Sequence, residues 1–226
     1  MSDSMLERIT IEPKVPAKAC VIWLHGLGDS GAGFAPVVPA LGLQADHAIR
    51  FVFPHAQEQP VTINGGYVMR AWYDIKSMDL HDRADMAGVK QSEQQILRLI
   101  AEQISSGIPS ENIVLAGFSQ GGVMSLFTAL RLQKKLAGIM ALSCYLPSGD
   151  SLPDAITDVN QTTPILQHHG VDDEVVPLNA GQVAHQLLST VGFNCQWQEY
   201  KMGHSVVPEQ LRDISTWLQT VLDHVK

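Results

Sequence analysis

The stretch IVLAGFSQGGVM, residues 113–124, is the part of the sequence that decides the fold. Its first four residues are apolar, as in a strand buried inside a sheet, and the segment from Val123 to Leu132 has the pattern of a helix. Between them stands Gly-x-Ser-x-Gly, with Ser119 at its centre. A strand, a tight turn and a helix around this pattern are the context in which a serine serves as an exposed nucleophile. The stretch therefore predicts Ser119 at a sharp strand-to-helix turn.

The glycines of this turn have a steric reason. Gly117 and Gly121 flank Ser119, and a Cβ atom at either position is expected to collide with the neighbouring strand or helix while the serine is held in a strained conformation. The turn would place the serine hydroxyl at the N-terminus of the helix, where backbone N–H groups and the helix dipole favour developing negative charge. An ordinary glycine-rich turn with a capping serine has the same pattern, so the motif needs support from elsewhere in the chain.

Strands and helices alternate along the rest of the chain. Apolar runs predict strands that are buried on both faces, and amphipathic stretches predict the helices between them. The predicted strands cover residues 8–12, 19–24, 49–53, 113–116, 138–143, 164–169 and 195–200, and the predicted helices cover 34–41, 83–106, 123–132, 179–191 and 208–225. This alternation indicates an α/β fold with a mostly parallel central sheet and helices on both faces, in one domain that spans residues 1–226 without a large cap domain.

The segment from residue 55 to residue 82 departs from this alternation. Asn64-Gly65-Gly66 lies between two short apolar runs, 61–63 and 67–69, which predicts a small hairpin. The remainder has the composition of a long irregular loop. Such an excursion from a compact domain usually has a functional reason.

Composition limits the classes of function. The 226-residue chain has 45% hydrophobic and 17% charged residues, which is typical of a folded globular protein. Its net charge is −8 and it has no basic stripe, so nucleic acid is not expected as a partner. The N-terminus lacks the pattern of a signal peptide, and no apolar run reaches the length of a membrane span. Three widely separated cysteines have no metal-type spacing, which predicts a cytoplasmic protein with reduced thiols and no metal or organic cofactor.

Active groups in such a sheet lie on loops at the carboxyl ends of the strands. One of these loops carries Ser119, a second carries Asp172 and Asp173, and a third carries His204. A serine hydroxyl needs an imidazole to take its proton, and the imidazole needs a carboxylate that fixes its tautomer and stabilises its charged form. The order Ser, Asp, His along the chain is the one that α/β hydrolases use. The three loops therefore predict a catalytic triad, with the choice between the two aspartates open.

His204 is the strongest candidate for the base among nine histidines. It follows the last predicted strand and precedes the terminal helix. His168 and His169 end a buried strand, where packing or a backbone hydrogen bond explains them. His25 begins the first loop and is expected to order it. The other histidines lie on helices or in polar stretches, as surface residues do.

Four motifs of the chain fit together as a set. They are His25-Gly26-Leu27-Gly28-Asp29, Gly117-Phe118-Ser119-Gln120-Gly121-Gly122, His169-Gly170-x-x-Asp173-x-x-Val176-Pro177 and Gly203-His204, to which Trp72-Tyr73-Asp74 can be added. From about Val15 to the C-terminus, the sequence resembles the acyl-protein thioesterase and small bacterial carboxylesterase family of α/β hydrolases. The resemblance implies Asp173 as the acid and the backbone N–H groups of Leu27 and Gln120 as oxyanion donors. Since only the backbone of Gln120 is used, Gln120→Ala is expected to be milder than Ser119→Ala.

The resemblance also implies a serine hydrolase that cleaves esters or thioesters through an acyl-enzyme, and it suggests a homodimer. A carboxylesterase for short to medium acyl chains is the favoured interpretation. The alternative is an acyl-protein thioesterase or lysophospholipase that acts on lipidated substrates, and the sequence does not separate the two. A third interpretation, of a different class, is a non-catalytic ligand receptor of the same fold. In such receptors the triad is typically broken, whereas all three residues are present here.

The segment 55–82 is the candidate wall of the acyl-binding site. Its apolar side chains offer surface to an acyl chain, and methionine adapts to irregular ligands. The candidates are Met69, Trp72, Tyr73, Ile75 and Met78. The same side chains could instead pack the loop onto the sheet. Contact of this loop with a membrane is expected to be weak, because the acidic balance of the chain gives no attraction to anionic lipids.

Overall fold

A computed structural model describes residues 5–79, 83–148 and 151–225. The strands are β1 (Arg8–Ile11), β2 (Ala19–Leu24), β3 (Ile49–Pro54), β4 (Glu58–Val61), β5 (Tyr67–Arg70), β6 (Ile113–Phe118), β7 (Gly138–Leu142), β8 (Ile165–Gly170) and β9 (Cys195–Tyr200). The helices are α1 (Gly31–Phe34), α2 (Val37–Ala40), α3 (Met86–Ser105), α4 (Gln120–Arg131), α5 (Leu178–Thr190) and α6 (Pro208–Val221). Short 3₁₀ helices cover Thr62–Asn64, Ser110–Asn112 and Asp223–Val225.

Seven of these strands form one sheet in the order β1-β3-β2-β6-β7-β8-β9. The edge strand β1 runs antiparallel to β3, and every other neighbouring pair is parallel. The strands β2, β6, β7 and β8 are buried along their whole length, because helices cover both faces of the sheet. The predicted mostly parallel sheet and its edge strand at the start of the chain are therefore confirmed.

Two apolar layers hold the helices against the sheet. On β2 the side chains alternate: Ile22 faces the layer that contains α3, α4 and α5, whereas Trp23 faces the layer that contains α6. The same alternation occurs on β6, where Leu115 and Ala116 point to opposite layers. Because the strands are parallel, all their carboxyl ends meet at one edge of the sheet, and the loops after β2, β6, β8 and β9 come together there.

Several predicted boundaries were wrong. The single helix predicted over 34–41 is two short helices, α1 and α2, because Pro36 has no N–H with which to continue the helix. The helix predicted from residue 83 begins at Met86, where the Asp85 side chain accepts the N–H of Gly88 and caps it.

The predicted hairpin is present, with its strands shifted. β4 and β5 pair as a separate two-stranded sheet, and residues predicted as strand at 62–63 form a 3₁₀ turn instead. The backbone N–H and hydroxyl of Thr62 both donate to the Asp74 carboxylate, which holds the turn against the following loop. Residues 80–82, the end of the predicted excursion, lie outside the described residues. Within the described ranges, no helix combines the length and apolarity that crossing a membrane requires.

Candidate active site

Ser119 stands at the joint between β6 and α4 in a strained conformation, with φ 53° and ψ −120°. A Cβ atom on Gly117 would overlap the carbonyl oxygen of Gly121, and a Cβ atom on Gly121 would overlap the carbonyl oxygen of Leu24. The N–H of Ser119 donates to the carbonyl oxygen of Leu142 on β7 at 2.8 Å, which fixes the turn to the sheet. The predicted sharp turn and the steric reason for its glycines are confirmed.

Three loops at the carboxyl edge of the sheet bring the three predicted triad residues together. The distance from Ser119 Oγ to His204 Nε2 is 2.8 Å, and that from His204 Nδ1 to Asp173 Oδ2 is also 2.8 Å. The carboxylate can only accept, so Nδ1 carries the imidazole proton and Nε2 is left to accept the hydroxyl proton of Ser119. The side chains are thus arranged for transfer of a proton from the serine to the imidazole.

Asp173 is held by its own loop. Its Oδ1 accepts the N–H groups of Val175 and Val176 at 2.9 and 2.8 Å. Burial of the carboxyl raises the pKa of Asp173, but the hydrogen bonds from His204 and the two amides outweigh this effect and keep the pKa below its usual value. Asp173 is therefore ionised near neutral pH. Asp172 is exposed, so of the two aspartates the structure brings Asp173 to the histidine.

His169 packs against this loop and makes a backbone hydrogen bond of the kind expected for it. Its Nε2 lies 2.8 Å from the carbonyl oxygen of Val176 and 3.7 Å from Asp173 Oδ2. Burial lowers the pKa of His169, so the ring is neutral and donates to the carbonyl group. Phe118 contacts the other histidine of the site, with its ring centre 4.7 Å from that of His204.

The loop after β2 lies beside the nucleophile. A Cβ atom on Gly26 would be 3.3 Å from a ring carbon of Phe118 and 3.4 Å from Ser119 Cβ, so a side chain at this position would crowd the nucleophile. His25 orders the loop, as predicted: its Nε2 accepts the N–H of Ala56, and its Nδ1 therefore donates to the carbonyl oxygen of Gly26 at 2.6 Å. Burial lowers the pKa of His25 to about 4, which keeps the ring neutral in this role.

The hydrogen bond from His25 Nδ1 to the carbonyl oxygen of Gly26 orients the predicted oxyanion donor, the backbone N–H of Leu27. The carbonyl group of Gly26 and the N–H of Leu27 belong to one planar trans peptide, in which they point in opposite directions. With the carbonyl group turned to His25, the N–H of Leu27 is turned away from that ring. The second predicted donor, Gln120, is the first residue of α4, and the N–H groups of the first turn of a helix have no partner within the helix.

The side chain of Gln120 has a role that the sequence interpretation missed. It is buried, its Oε1 accepts the N–H of Trp72 at 2.8 Å, and its Nε2 donates to the carbonyl oxygen of Tyr73 at 2.7 Å. The expectation that the chemical step uses only the backbone of Gln120 stays a prediction, whereas the structural role of the side chain was missed. The partners are backbone groups far away in the chain, and these carry no signature in the sequence.

The predicted acyl-binding wall is also corrected. Trp72 and Tyr73 expose 1% and 0% of their surface, and Ile75 exposes 6%, because all three pack in the core layer beneath α3 and α4. These side chains anchor the loop and offer almost no surface to a ligand. Of the five candidates, Met69 and Met78 keep open surface. Met69 is half-buried, and its sulfur would be 3.5 Å from a Cβ atom on Gly28, so it lies partly open beside the predicted oxyanion loop.

Among the described residues, no group of three or more histidine, cysteine, aspartate or glutamate side chains is arranged to hold a metal ion. The three cysteines are free.

Residues 6–222 match the model of the family described as phospholipase/carboxylesterase. The chain belongs to this family. It is therefore a hydrolase with the α/β-hydrolase fold. Among related sequences, the acyl-protein thioesterase 1 of Gibberella zeae is 39% identical over 213 residues, which are 90% of this chain and 91% of that protein. A protein of Oryza sativa subsp. japonica named "Probable carboxylesterase" is 36% identical over 91% of this chain and 78% of its own length.

Two solved structures have the same fold. The crystal structure of Arabidopsis thaliana SOBER1 superposes with a TM-score of 0.85 at 33% identity, covering 91% of this chain and 100% of that one. The Zea mays acyl-protein thioesterase 2 gives a TM-score of 0.83 at 27% identity, covering 96% and 99%. The superpositions cover 91% and 96% of this chain, so the fold predicted from the sequence is confirmed.

Proposed function

We propose that this member of the family hydrolyses carboxylic esters or thioesters through a triad of Ser119, His204 and Asp173. The observation that carries the proposal is the continuous chain of two 2.8 Å hydrogen bonds from the carboxylate to the serine hydroxyl. Membership of the family and the strained, glycine-flanked serine support it.

The first half of the reaction forms an acyl-enzyme. His204 takes the proton of Ser119 as the hydroxyl oxygen attacks the carbonyl carbon of the ester or thioester. The carbonyl oxygen becomes an oxyanion, which the backbone N–H groups of Leu27 and Gln120 stabilise. The bond to the alcohol or thiol then breaks, and His204 returns the proton to this leaving group.

The second half regenerates the serine. His204 takes a proton from a water molecule, whose oxygen attacks the carbonyl carbon of the acyl-enzyme. A second oxyanion forms in the same place, the bond to Ser119 breaks, and the serine recovers its proton from His204. The carboxylic acid leaves. Asp173 stays ionised throughout and stabilises the imidazolium in both halves.

Ser119→Ala tests the triad. The variant should lose turnover and labelling by a fluorophosphonate probe while its unfolding midpoint stays close to that of the wild type. Ser215→Ala is the matched control, because Ser215 is also a buried serine but lies on α6, outside the site. A Ser119→Ala protein with esterase activity near that of the wild type, or labelled as strongly, would overturn the proposal.

For the acyl group we propose short to medium chains. The support is the burial of Trp72, Tyr73 and Ile75, which removes three apolar side chains from the wall that a long chain would need. Met69 beside Gly28 remains as the proposed contact of the acyl group.

A second candidate is the hydrolysis of lipidated substrates, as in an acyl-protein thioesterase. The hairpin exposes 70% of Tyr67, and Met78 on the following loop is 69% exposed, so both offer apolar surface to a lipid chain. Any contact with a membrane through these residues should be weak, since the net charge of −8 gives no attraction to anionic lipids.

Rates on p-nitrophenyl esters of increasing chain length separate these candidates. We expect kcat/KM to be highest for short to medium chains and to fall steeply beyond them. Activity that keeps rising to palmitoyl length would instead favour the lipidated substrates.

A cytoplasmic location and a homodimer are further proposals. Light scattering on the purified protein tests the dimer.

A further inference from the structure

Trp72 was expected to contact the acyl group, yet it lies buried between the two segments that carry the proposed oxyanion donors. All three of its polar groups are hydrogen-bonded. Its indole N–H donates to the carbonyl oxygen of His25 at 2.9 Å, its backbone N–H donates to Gln120 Oε1 at 2.8 Å, and its carbonyl oxygen accepts the hydroxyl of Ser92. Trp72 therefore forms hydrogen bonds both with the loop after β2 and with the first residue of α4.

The hydrogen bond from the Trp72 indole to the carbonyl oxygen of His25 affects the position of the first proposed donor, the N–H of Leu27. The indole and imidazole rings also pack together, with their centres 5.3 Å apart. His25 in turn holds the carbonyl group of Gly26 through Nδ1, and this carbonyl group belongs to the same peptide as the N–H of Leu27. A shift of the His25 backbone would therefore rotate or displace the N–H of Leu27.

The hydrogen bond from the Trp72 backbone N–H to Gln120 Oε1 affects the position of the second proposed donor, the backbone N–H of Gln120. The Gln120 side chain spans Trp72 and Tyr73, so the residue whose backbone N–H is the proposed donor is tied to the same loop. The two segments also touch directly, since a Cβ atom on Gly121 would be 2.6 Å from the carbonyl oxygen of His25. This carbonyl group is thus enclosed between the Trp72 indole and the start of α4.

We propose that Trp72 is a positioning residue of the oxyanion hole, which sets the distance between the N–H groups of Leu27 and Gln120. The proposal rests on the triad function given above. Preorganised donors stabilise an oxyanion because they need no rearrangement as charge develops. A misplacement of about 1 Å in such a site costs about a hundredfold in rate, so loss of the indole bond should lower kcat by about 10- to 100-fold. Binding of the ester in its ground state depends little on the donors, so KM should change little.

Trp72→Phe is the first test, because it keeps an aromatic ring and removes the indole N–H. Trp23→Phe is the matched control. Trp23 is also fully buried, and its Nε1 makes no hydrogen bond within the described part of the chain. We expect kcat on a short p-nitrophenyl ester to fall about 10- to 100-fold in Trp72→Phe and to stay near the wild-type value in Trp23→Phe. The inhibition constant of a trifluoromethyl ketone, whose adduct with Ser119 carries an oxyanion, should rise by the same factor.

A second variant tests the proposal if Trp72→Phe does not fold. Replacement of Trp72 by 3-benzothienylalanine preserves the shape of the ring and puts sulfur in place of the N–H, and it should give the same fall in kcat. Equal losses in Trp72→Phe and Trp23→Phe would overturn the proposal, and so would a wild-type kcat in a folded variant at position 72. Either result is separate from a failure of the triad, because an inactive Ser119→Ala protein would still establish the nucleophile.

Discussion

His204 Nδ1 lies 2.8 Å from Asp173 Oδ2, and the other oxygen of the same carboxylate accepts two backbone N–H groups. The carboxylate therefore cannot turn away from the histidine without breaking bonds in its own loop. This arrangement fixes the imidazole tautomer in which Nε2 faces the serine.

Asp173→Asn should lower kcat by about three to four orders of magnitude at neutral pH with little change in KM. The amide NH₂ can donate a hydrogen bond to Nδ1, which would favour the tautomer that carries its proton on Nε2 and so block the base. Steady-state kinetics on a short p-nitrophenyl ester measure the effect. Asp172→Asn is the control, because this neighbouring side chain is exposed. A comparable loss in both variants would contradict the assignment of the acid.

Gly121→Ala should destabilise the protein by about 3 kcal/mol, the upper end of the usual cost of overpacking, because its Cβ atom would overlap the backbone of Leu24 and cannot relax by side-chain rotation. Urea unfolding measures the change. Gly203→Ala provides the comparison for stability, since its Cβ atom would meet only the carbonyl oxygen of Asp172, at an ordinary 3.6 Å. Similar unfolding free energies for the two variants would contradict the steric explanation of the glycines at the Ser119 turn.

Gln120→Ala should cost both stability and activity. The substitution leaves the buried N–H of Trp72 and the carbonyl oxygen of Tyr73 without partners, at about 1–3 kcal/mol for each group. Unfolding in urea and kcat on the same ester measure the two effects. Gln219→Ala on the exposed face of α6 should have little effect on either. A Gln120→Ala protein as stable and active as the wild type would show that these hydrogen bonds are dispensable.

The parts of the site that follow from local rules were predictable from the sequence. Gly117 and Gly121 are needed by the turn itself, and the order of Ser119, Asp173 and His204 places each residue after a strand of one parallel sheet. Once the strands are parallel, their carboxyl ends must meet, so the convergence of the three loops needs no further information.

The parts that depend on tertiary contacts were not predictable. An apolar side chain such as Trp72 or Tyr73 has the same signature whether it faces a ligand or the core, and only the packing of α3 and α4 over the loop decides between them. The Gln120 side chain bonds to backbone groups 47 and 48 residues earlier in the chain, and any residue other than proline would supply these groups.

Stability should fall as the pH drops from 7 to 5. Burial lowers the pKa of His25 and of His168 to about 4 from the usual 6.5 of an exposed histidine. Below pH 6.5 the unfolded chain therefore binds protons that the native protein does not, so the unfolding free energy decreases towards pH 4. At pH 5 each of the two histidines should account for a loss of about 2 kcal/mol. Urea unfolding at both pH values measures the fall, and His168→Phe, which removes one of these groups away from the serine, should reduce it by about 2 kcal/mol. An unfolding free energy that stays constant between pH 7 and pH 5 would show that the buried rings are protonated in the native protein.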